Sequence, residues 1–143
     1  MQEVLMFRTT TLAALTMFGL SGCFVYTDDP KPVQNAAPFF TYADAGCYAD
    51  DYYRDFVWYF DADVDDYDGP NDVSAVYADV YDTWSGEWVD GFELYYEGDL
   101  TWYSAWVGSS TYLDCTYPDY EVDLTAEDIF GATDVVTVVP ATW

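Results

Sequence analysis

Polar and apolar positions alternate most plainly over residues 54–64, where Phe56, Trp58, Phe60, Ala62 and Val64 fall on one face and Val57, Tyr59, Asp61 and Asp63 on the other. A period of two is that of a β-strand with one face in the core and the other in water. The pattern returns over 73–82, with Val76, Ala78 and Val80 inward, and over 92–97, where Phe92, Leu94 and Tyr96 alternate with Glu93, Tyr95 and Glu97. It returns again over 120–127, where Tyr120, Val122, Leu124 and Ala126 alternate with Glu121, Asp123, Thr125 and Glu127. Residues 100–107 carry aromatic rings on both faces, Trp102 and Trp106 against Tyr103, and 133–139 reads as a Val-rich closing strand. Turn chemistry separates these runs: Asp68-Gly69-Pro70-Asn71, Ser85-Gly86 and Asp90-Gly91 around Trp88, Glu97-Gly98-Asp99, a loop over 108–119 and a turn over 128–131. About seven short strands with no helical period beyond residue 22 predict an all-β, antiparallel β-sandwich beginning near Phe39, with a small closed barrel or jelly roll as the alternative architecture.

The chain before that domain has a different pattern. Residues 9–20 form an apolar run behind Arg8, with Met6 as an alternative start that gives a cleaner basic head. A bilayer needs about 20 apolar residues, so the run has the length of a secretion signal rather than a membrane span. Prolines at 30, 32 and 38 then mark residues 23–38 as an extended tether.

Charge changes the picture of the partners. The chain has 27 acidic residues against 3 basic ones. A polyanion of this kind repels nucleic acid and anionic membrane surfaces, so neither is an expected partner. The apolar fraction of 52% and aromatic fraction of 21% are far above those of a solvated acidic tail, so the chain is expected to fold. Acidity spread over the whole domain fits either a high-salt setting, where screening removes self-repulsion, or neutralisation by divalent cations.

Leu20-Ser21-Gly22-Cys23 ends the apolar run. It resembles the lipobox of bacterial lipoproteins: a Leu, two small residues and a Cys that is lipidated once the chain is cut before it. The resemblance implies a signal peptide over 1–22, a lipid on Cys23 that holds the protein to a membrane of the bacterial cell envelope, and a tethered domain over 39–143. Phe24, in place of the Asp that enterobacteria use for inner-membrane retention, points to the outer membrane. With Cys23 assigned to lipid, Cys47 and Cys115 remain, and in an exported protein they are expected to pair as a disulfide, the alternative being two buried thiols.

The stretch 61–72 holds Asp61, Asp63, Asp65, Asp66, Asp68 and Asp72, and carboxylate oxygens in a turn are the ligands calcium takes. Its spacing departs from an EF-hand loop at the sixth position, Asp66 instead of Gly, and at the twelfth, Asp72 instead of Glu. Asp66-Tyr67-Asp68-Gly69 before Asp72-Val73-Ser74-Ala75-Val76 instead resembles the turn between the second and third strands of bacterial immunoglobulin-like modules of the cadherin and polycystic-kidney-disease type. Ala126-Glu127-Asp128-Ile129-Phe130-Gly131 is similar to the turn before their last strand. The resemblance covers 55–139 and implies an immunoglobulin-like sandwich in which Asp66, Asp68 and Asp128 are candidate calcium ligands, with Asp63 and Asp65 close in sequence. The plainer reading is that these aspartates cap turns through bonds to backbone N–H groups.

Tyr59, Tyr77, Tyr81 and Tyr95 fall on the wet faces of their strands, where exposed rings form candidate contacts for a glycan or a protein. Trp84, Trp88, Trp102, Tyr103 and Trp106 cluster in mid-chain and are expected mostly to fill the core. Enzyme chemistry is not expected, because the chain has no His and, beyond residue 22, only Lys31 and Arg54 as cations, so the usual bases and phosphate clamps are missing. The reading is therefore a structural or adhesive envelope module with calcium as a candidate stabiliser; the alternative is a glycan- or protein-binding module built on exposed aromatic rings.

Overall fold

The computed structural model describes residues 35–142. The expected signal peptide over 1–22 and Cys23, the expected lipidation site, lie outside the described residues, as does the expected tether up to residue 34. Seven strands follow one another: β1 (Phe39–Asp50), β2 (Asp55–Asp65), β3 (Val73–Asp82), β4 (Trp88–Gly98), β5 (Thr101–Val107), β6 (Tyr120–Asp128) and β7 (Thr133–Val138). Short 3-10 turns at Pro70–Asp72 and Gly108–Ser110 are the only helical pieces among the described residues.

Every strand pair is antiparallel, and the hydrogen-bonded order is β1-β2-β5-β4-β3-β6-β7. Strands β1, β2, β5 and β4 make one layer and β3, β6 and β7 the other, which is the strand order of a constant-type immunoglobulin-like sandwich. Strand β4 joins the layers: from Trp88 to Leu94 it pairs with β3, and from Tyr95 to Gly98 with β5. The outer strands also meet, since Ala141 beyond β7 bridges Gly46 in parallel, accepting from the Cys47 N–H at 2.8 Å and donating to the Ala45 carbonyl at 3.0 Å. Both edges that an open sandwich leaves unpaired are thereby partly covered, and the whole approaches a barrel.

The core follows from the alternation. Trp58, Phe60, Ala62 and Val64 of β2 are buried together with Val76, Ala78 and Val80 of β3, Phe92 and Leu94 of β4, Trp102 of β5, and Val122, Leu124 and Ala126 of β6. Phe60 stacks on Phe92 with ring centroids 4.7 Å apart, and the Trp58 ring meets Tyr120 edge-on at 5.9 Å. Cys47 and Cys115 are bonded, with Cα atoms 5.8 Å apart. Cys47 is the cross-strand neighbour of Trp58 on β1, and Cys115 lies in the loop before β6, so the bridge ties that loop to the sheet.

Several element boundaries differ from the sequence expectation, those of β2, β5 and β6 by a single residue. Asp90-Gly91 is not a turn but the interior of β4, which starts at Trp88; the turn is confined to 83–87. Trp88 explains the glycine. Its indole lies over Gly91, where a β-carbon would come within 3.2 Å of the ring and 3.0 Å of an Asp79 carboxylate oxygen. The closing strand ends at Val138 rather than 139.

Candidate functional site

The antiparallel course gives the sandwich two ends of different chemistry. Residues 35–38 enter at the end built from the 66–72 and 129–132 turns. There the aspartates hold backbone. Asp66 accepts from the Asp68 N–H at 2.8 Å, and Asp128 accepts from Phe130 at 2.8 Å and Ala132 at 2.9 Å. The entering chain is held the same way: Asn35 donates its side-chain amide to Asp128 at 2.5 Å, and the Ala36 N–H donates to Asp68 at 2.8 Å. The two turns are themselves joined by the Ile129 N–H donating to the Asp72 carbonyl at 2.8 Å. Burial pushes the Asp128 carboxyl up, but the hydrogen bonds from Asn35 and from the turn's N–H groups outweigh it and hold the group below the usual carboxylate range.

A cleft of about 480 Å³ at this end is lined by Asn35, Asp68, Asp72 and Phe130. Asp66, Asp68 and Asp128 thus stand on neighbouring turns, but no group of three or more acidic or cysteine side chains converges closely enough to hold a metal ion among the described residues. Asp65 bonds the Asp66 N–H and Asp63 the Thr101 hydroxyl. These carboxylates do not converge as a set on one centre, and the turn-capping reading accounts for their hydrogen bonds to turn N–H groups, while the buried Asp66 Oδ2 has no hydrogen-bond partner among the described residues.

The opposite end is closed by residues 108–119. Ser109 N–H donates to Asp55 at 3.0 Å, Tyr112 N–H to Asp90 at 2.9 Å, Thr83 N–H to the Asp119 carbonyl at 2.9 Å and Tyr117 hydroxyl to Asp82 at 2.7 Å. The bond to Asp82 is the leading cause that pushes the Tyr117 phenol up to about 12. Around this scaffold Tyr52, Trp84 and Tyr112 are exposed, and at the end of the entering chain Tyr67 and Phe130 are exposed as well, so each end of the domain carries open rings.

The four predicted surface tyrosines do not form one patch. Tyr59 and Tyr95 lie on the outer face of the β1-β2-β5-β4 layer, Tyr77 and Tyr81 on that of the β3-β6-β7 layer. Register assembles the first face: Asp44, Asp61, Tyr103 and Tyr95 run as one row over four adjacent strands, beside a second row of Gly46, Tyr59 and Ala105. Tyr59 donates its hydroxyl to Asp44 at 3.1 Å, Tyr42 does so at 3.4 Å, and the Tyr48 and Tyr59 rings are 6.2 Å apart. Burial, then the hydrogen bond and charge of Asp44, push the Tyr59 phenol up to about 12. Burial, then the charges of Asp63 and Asp44, raise the Asp61 carboxyl. Tyr42 and Tyr48 carry no binding signal in the sequence, and Tyr103 reads there as one of the mid-chain rings expected mostly to fill the core; the strand order is what brings them to the face of Tyr59. On the second face Trp88 donates to Asp79 at 2.8 Å and Thr137 to Asp123 at 2.6 Å, with Tyr77 and Tyr81 alongside.

No protein family matches the sequence, and no curated protein matches it. Among solved structures, the crystal structure of an engineered protein is similar at 25% sequence identity and a TM-score of 0.46, over 79% of this chain and 21% of that one. The chain therefore spans about a fifth of the length of the solved protein it matches.

Proposed function

We propose that the chain is a lipid-anchored protein of the bacterial cell envelope, on the outer membrane, whose non-catalytic immunoglobulin-like sandwich presents a surface for adhesive or structural contact. The observation that carries this is that Tyr52, Trp84 and Tyr112 stand exposed at the end opposite the 66–72 and 129–132 turns, where residues 35–38 enter. Tyr67 and Phe130 are exposed beside the entry point, so the rings at the far end are the ones free of the tether, and exposed rings are what a contact surface needs. Asn35 and Ala36, bonded to Asp128 and Asp68, fix the entry point of the tether and so the direction in which that end is carried. Divalent cations act diffusely in this reading, by screening a net charge of -24 rather than by filling a cage.

Replacing Cys23 with Ser and fractionating cells tests the anchor: the variant should leave the membrane fraction, and one that stays membrane-bound would contradict lipidation. The secreted Cys23→Ser protein then tests the presented end. It should co-sediment with purified envelopes, and combining Tyr52→Ser, Trp84→Ser and Tyr112→Ser should abolish this while leaving cooperative melting intact. Unchanged co-sedimentation would remove that end from the proposal.

A further inference from the structure

We infer that the outer face of the β1-β2-β5-β4 layer is a docking surface for a basic protein segment, whose arginine or lysine side chains lie on tyrosine rings and pair with Asp44 and Asp61. The inference goes beyond the anchored presentation argued above and stands or falls without it.

The face is flat by construction. The cross-strand neighbours of Tyr59 are Gly46 on one side and Ala105 on the other, so no side chain longer than a methyl rises beside its ring in that row. The ring lies down over Gly46 and ends at Asp44, so it has a carboxylate at its hydroxyl end. In the adjacent row the two carboxylates Asp44 and Asp61 are followed by the two rings Tyr103 and Tyr95, so a ring again borders a carboxylate where Tyr103 meets Asp61. Tyr42 and Tyr95 are 47% and 56% exposed, so the platform is open to a partner.

Charge selects the occupant. Asp44 and Asp61 are direct cross-strand partners, a like-charge juxtaposition that costs free energy wherever it is not compensated. The Tyr59 and Tyr42 hydroxyls donate to Asp44, but the domain supplies no compensating positive charge: Arg54 is its sole basic residue among the described ones, and it lies beyond the far end of β2 from this row. A neutral glycan would donate hydroxyl hydrogen bonds to the carboxylates without neutralising their repulsion. A compact metal ion is not favoured either, because these carboxylates are spread over two strands and converge on no centre. A guanidinium or ammonium group satisfies both features, since it pairs with the carboxylates and is attracted to the face of a tyrosine ring.

The test uses the full chain in 0.15 M salt and fluorescence anisotropy with a labelled octa-arginine probe, beside a labelled glycine-serine octapeptide and cellohexaose as neutral probes. Because a protein of this charge attracts any polycation, the decisive comparison is between two charge-matched variants. Asp44→Asn with Asp61→Asn should weaken octa-arginine binding at least tenfold, while Asp79→Asn with Asp123→Asn on the opposite layer should weaken it less than twofold. Equal weakening by the two pairs would overturn the proposal in favour of diffuse attraction. Tight cellohexaose binding lost in the first pair would overturn it in favour of a glycan site, and absence of octa-arginine binding would overturn it outright. Should the first pair fail to melt cooperatively, Tyr95→Ser decides: the ring is exposed, and its loss should weaken binding at least threefold with the melting temperature unchanged, whereas unchanged binding would count against the face.

Discussion

The Tyr59 ring lies across Gly46 so closely that a β-carbon at position 46 would come within 2.7 Å of the phenolic oxygen and 2.9 Å of two ring carbons. Glycine in a strand interior usually costs about 0.5–1 kcal/mol relative to alanine, and here a tyrosine covers the gap. Gly46→Ala should therefore not give the usual gain. The ring must lift, the hydrogen bond to Asp44 breaks, and the net loss is about 1 kcal/mol because the clash falls on the far end of a side chain that can move. The local readout is the Tyr59 phenol, now pushed up to about 12 by burial and Asp44. In the variant its titration, followed by NMR of the ring, should move back toward the ordinary tyrosine range.

Asp61 sets a pH dependence opposite to that of the turn aspartates. Its carboxyl is raised above the ordinary 3.8 by burial and then by Asp63 and Asp44. A carboxyl raised on folding favours the native state at low pH and loses that contribution as pH rises through its folded value, so ionised Asp61 is a cost at pH 7. Hydrogen bonds, led by those of Ser109 to Asp55, of Ser85 to Asp82 and of Thr116 to Asp114, hold these three carboxyls below the ordinary value. Asp128 is held low as well, its hydrogen bonds outweighing its burial. These four stabilise above their unfolded value, and the contribution is lost as pH falls below about 4. Asp61 should add stability as pH falls through its raised folded value, and the other four should remove stability as pH falls below about 4. Asp61→Asn should gain up to about 1 kcal/mol at pH 7 in urea unfolding and nothing at pH 3, since it removes one member of an opposed like-charge pair.

Much of this fold can be read from residue alternation and little of the tyrosine face can. In β2 each large inward residue, Trp58, Phe60 and Val64, is separated from the next by a polar or exposed-side neighbour, so the strand and its buried face are plain. In β1 three consecutive residues, Ala45, Gly46 and Cys47, are buried where the parallel bridge to Ala141 covers the edge, and that run breaks the period of two. Gly91 misleads for the same kind of reason: a glycine next to Asp suggests a turn, but its use is to seat the Trp88 indole. Outward tyrosines are visible strand by strand. Whether two of them meet depends on strand order and register, which place Tyr95 beside Tyr103 and put Tyr77 on the other layer. A shift of one residue in any ladder would turn its whole outward set into the core, so no single-strand pattern carries that information.

The disulfide should account for a large share of stability. Cys47 and Cys115 are 68 residues apart, and closing a loop of that length in the unfolded chain contributes about 4 kcal/mol in the chain-entropy model. That is comparable to the whole net stability of a small domain. Replacing both cysteines with Ser should lower the urea midpoint steeply. Hydrogen exchange should report the loss first at Ser109 and Tyr112, whose N–H groups fasten the 108–119 loop to Asp55 and Asp90. Protection that persists at these amides while global stability falls would show that the loop is held by its hydrogen bonds alone.

Calcium and magnesium should stabilise the domain alike. A calcium cage needs six to eight oxygens at one centre, whereas Asp66, Asp68 and Asp128 each already accept backbone N–H groups and no three carboxylates converge among the described residues. The remaining route is screening. A net charge of -24 on a chain of 143 residues disfavours the compact state by self-repulsion, and divalent ions reduce that repulsion more effectively than sodium at equal ionic strength. Melting temperature should rise smoothly with either ion, without saturation at low millimolar concentration, and Asp68→Asn should leave the slope nearly unchanged because it removes one charge of many. A saturating rise specific to calcium and abolished by Asp68→Asn would instead demonstrate a discrete site at the 66–72 turn.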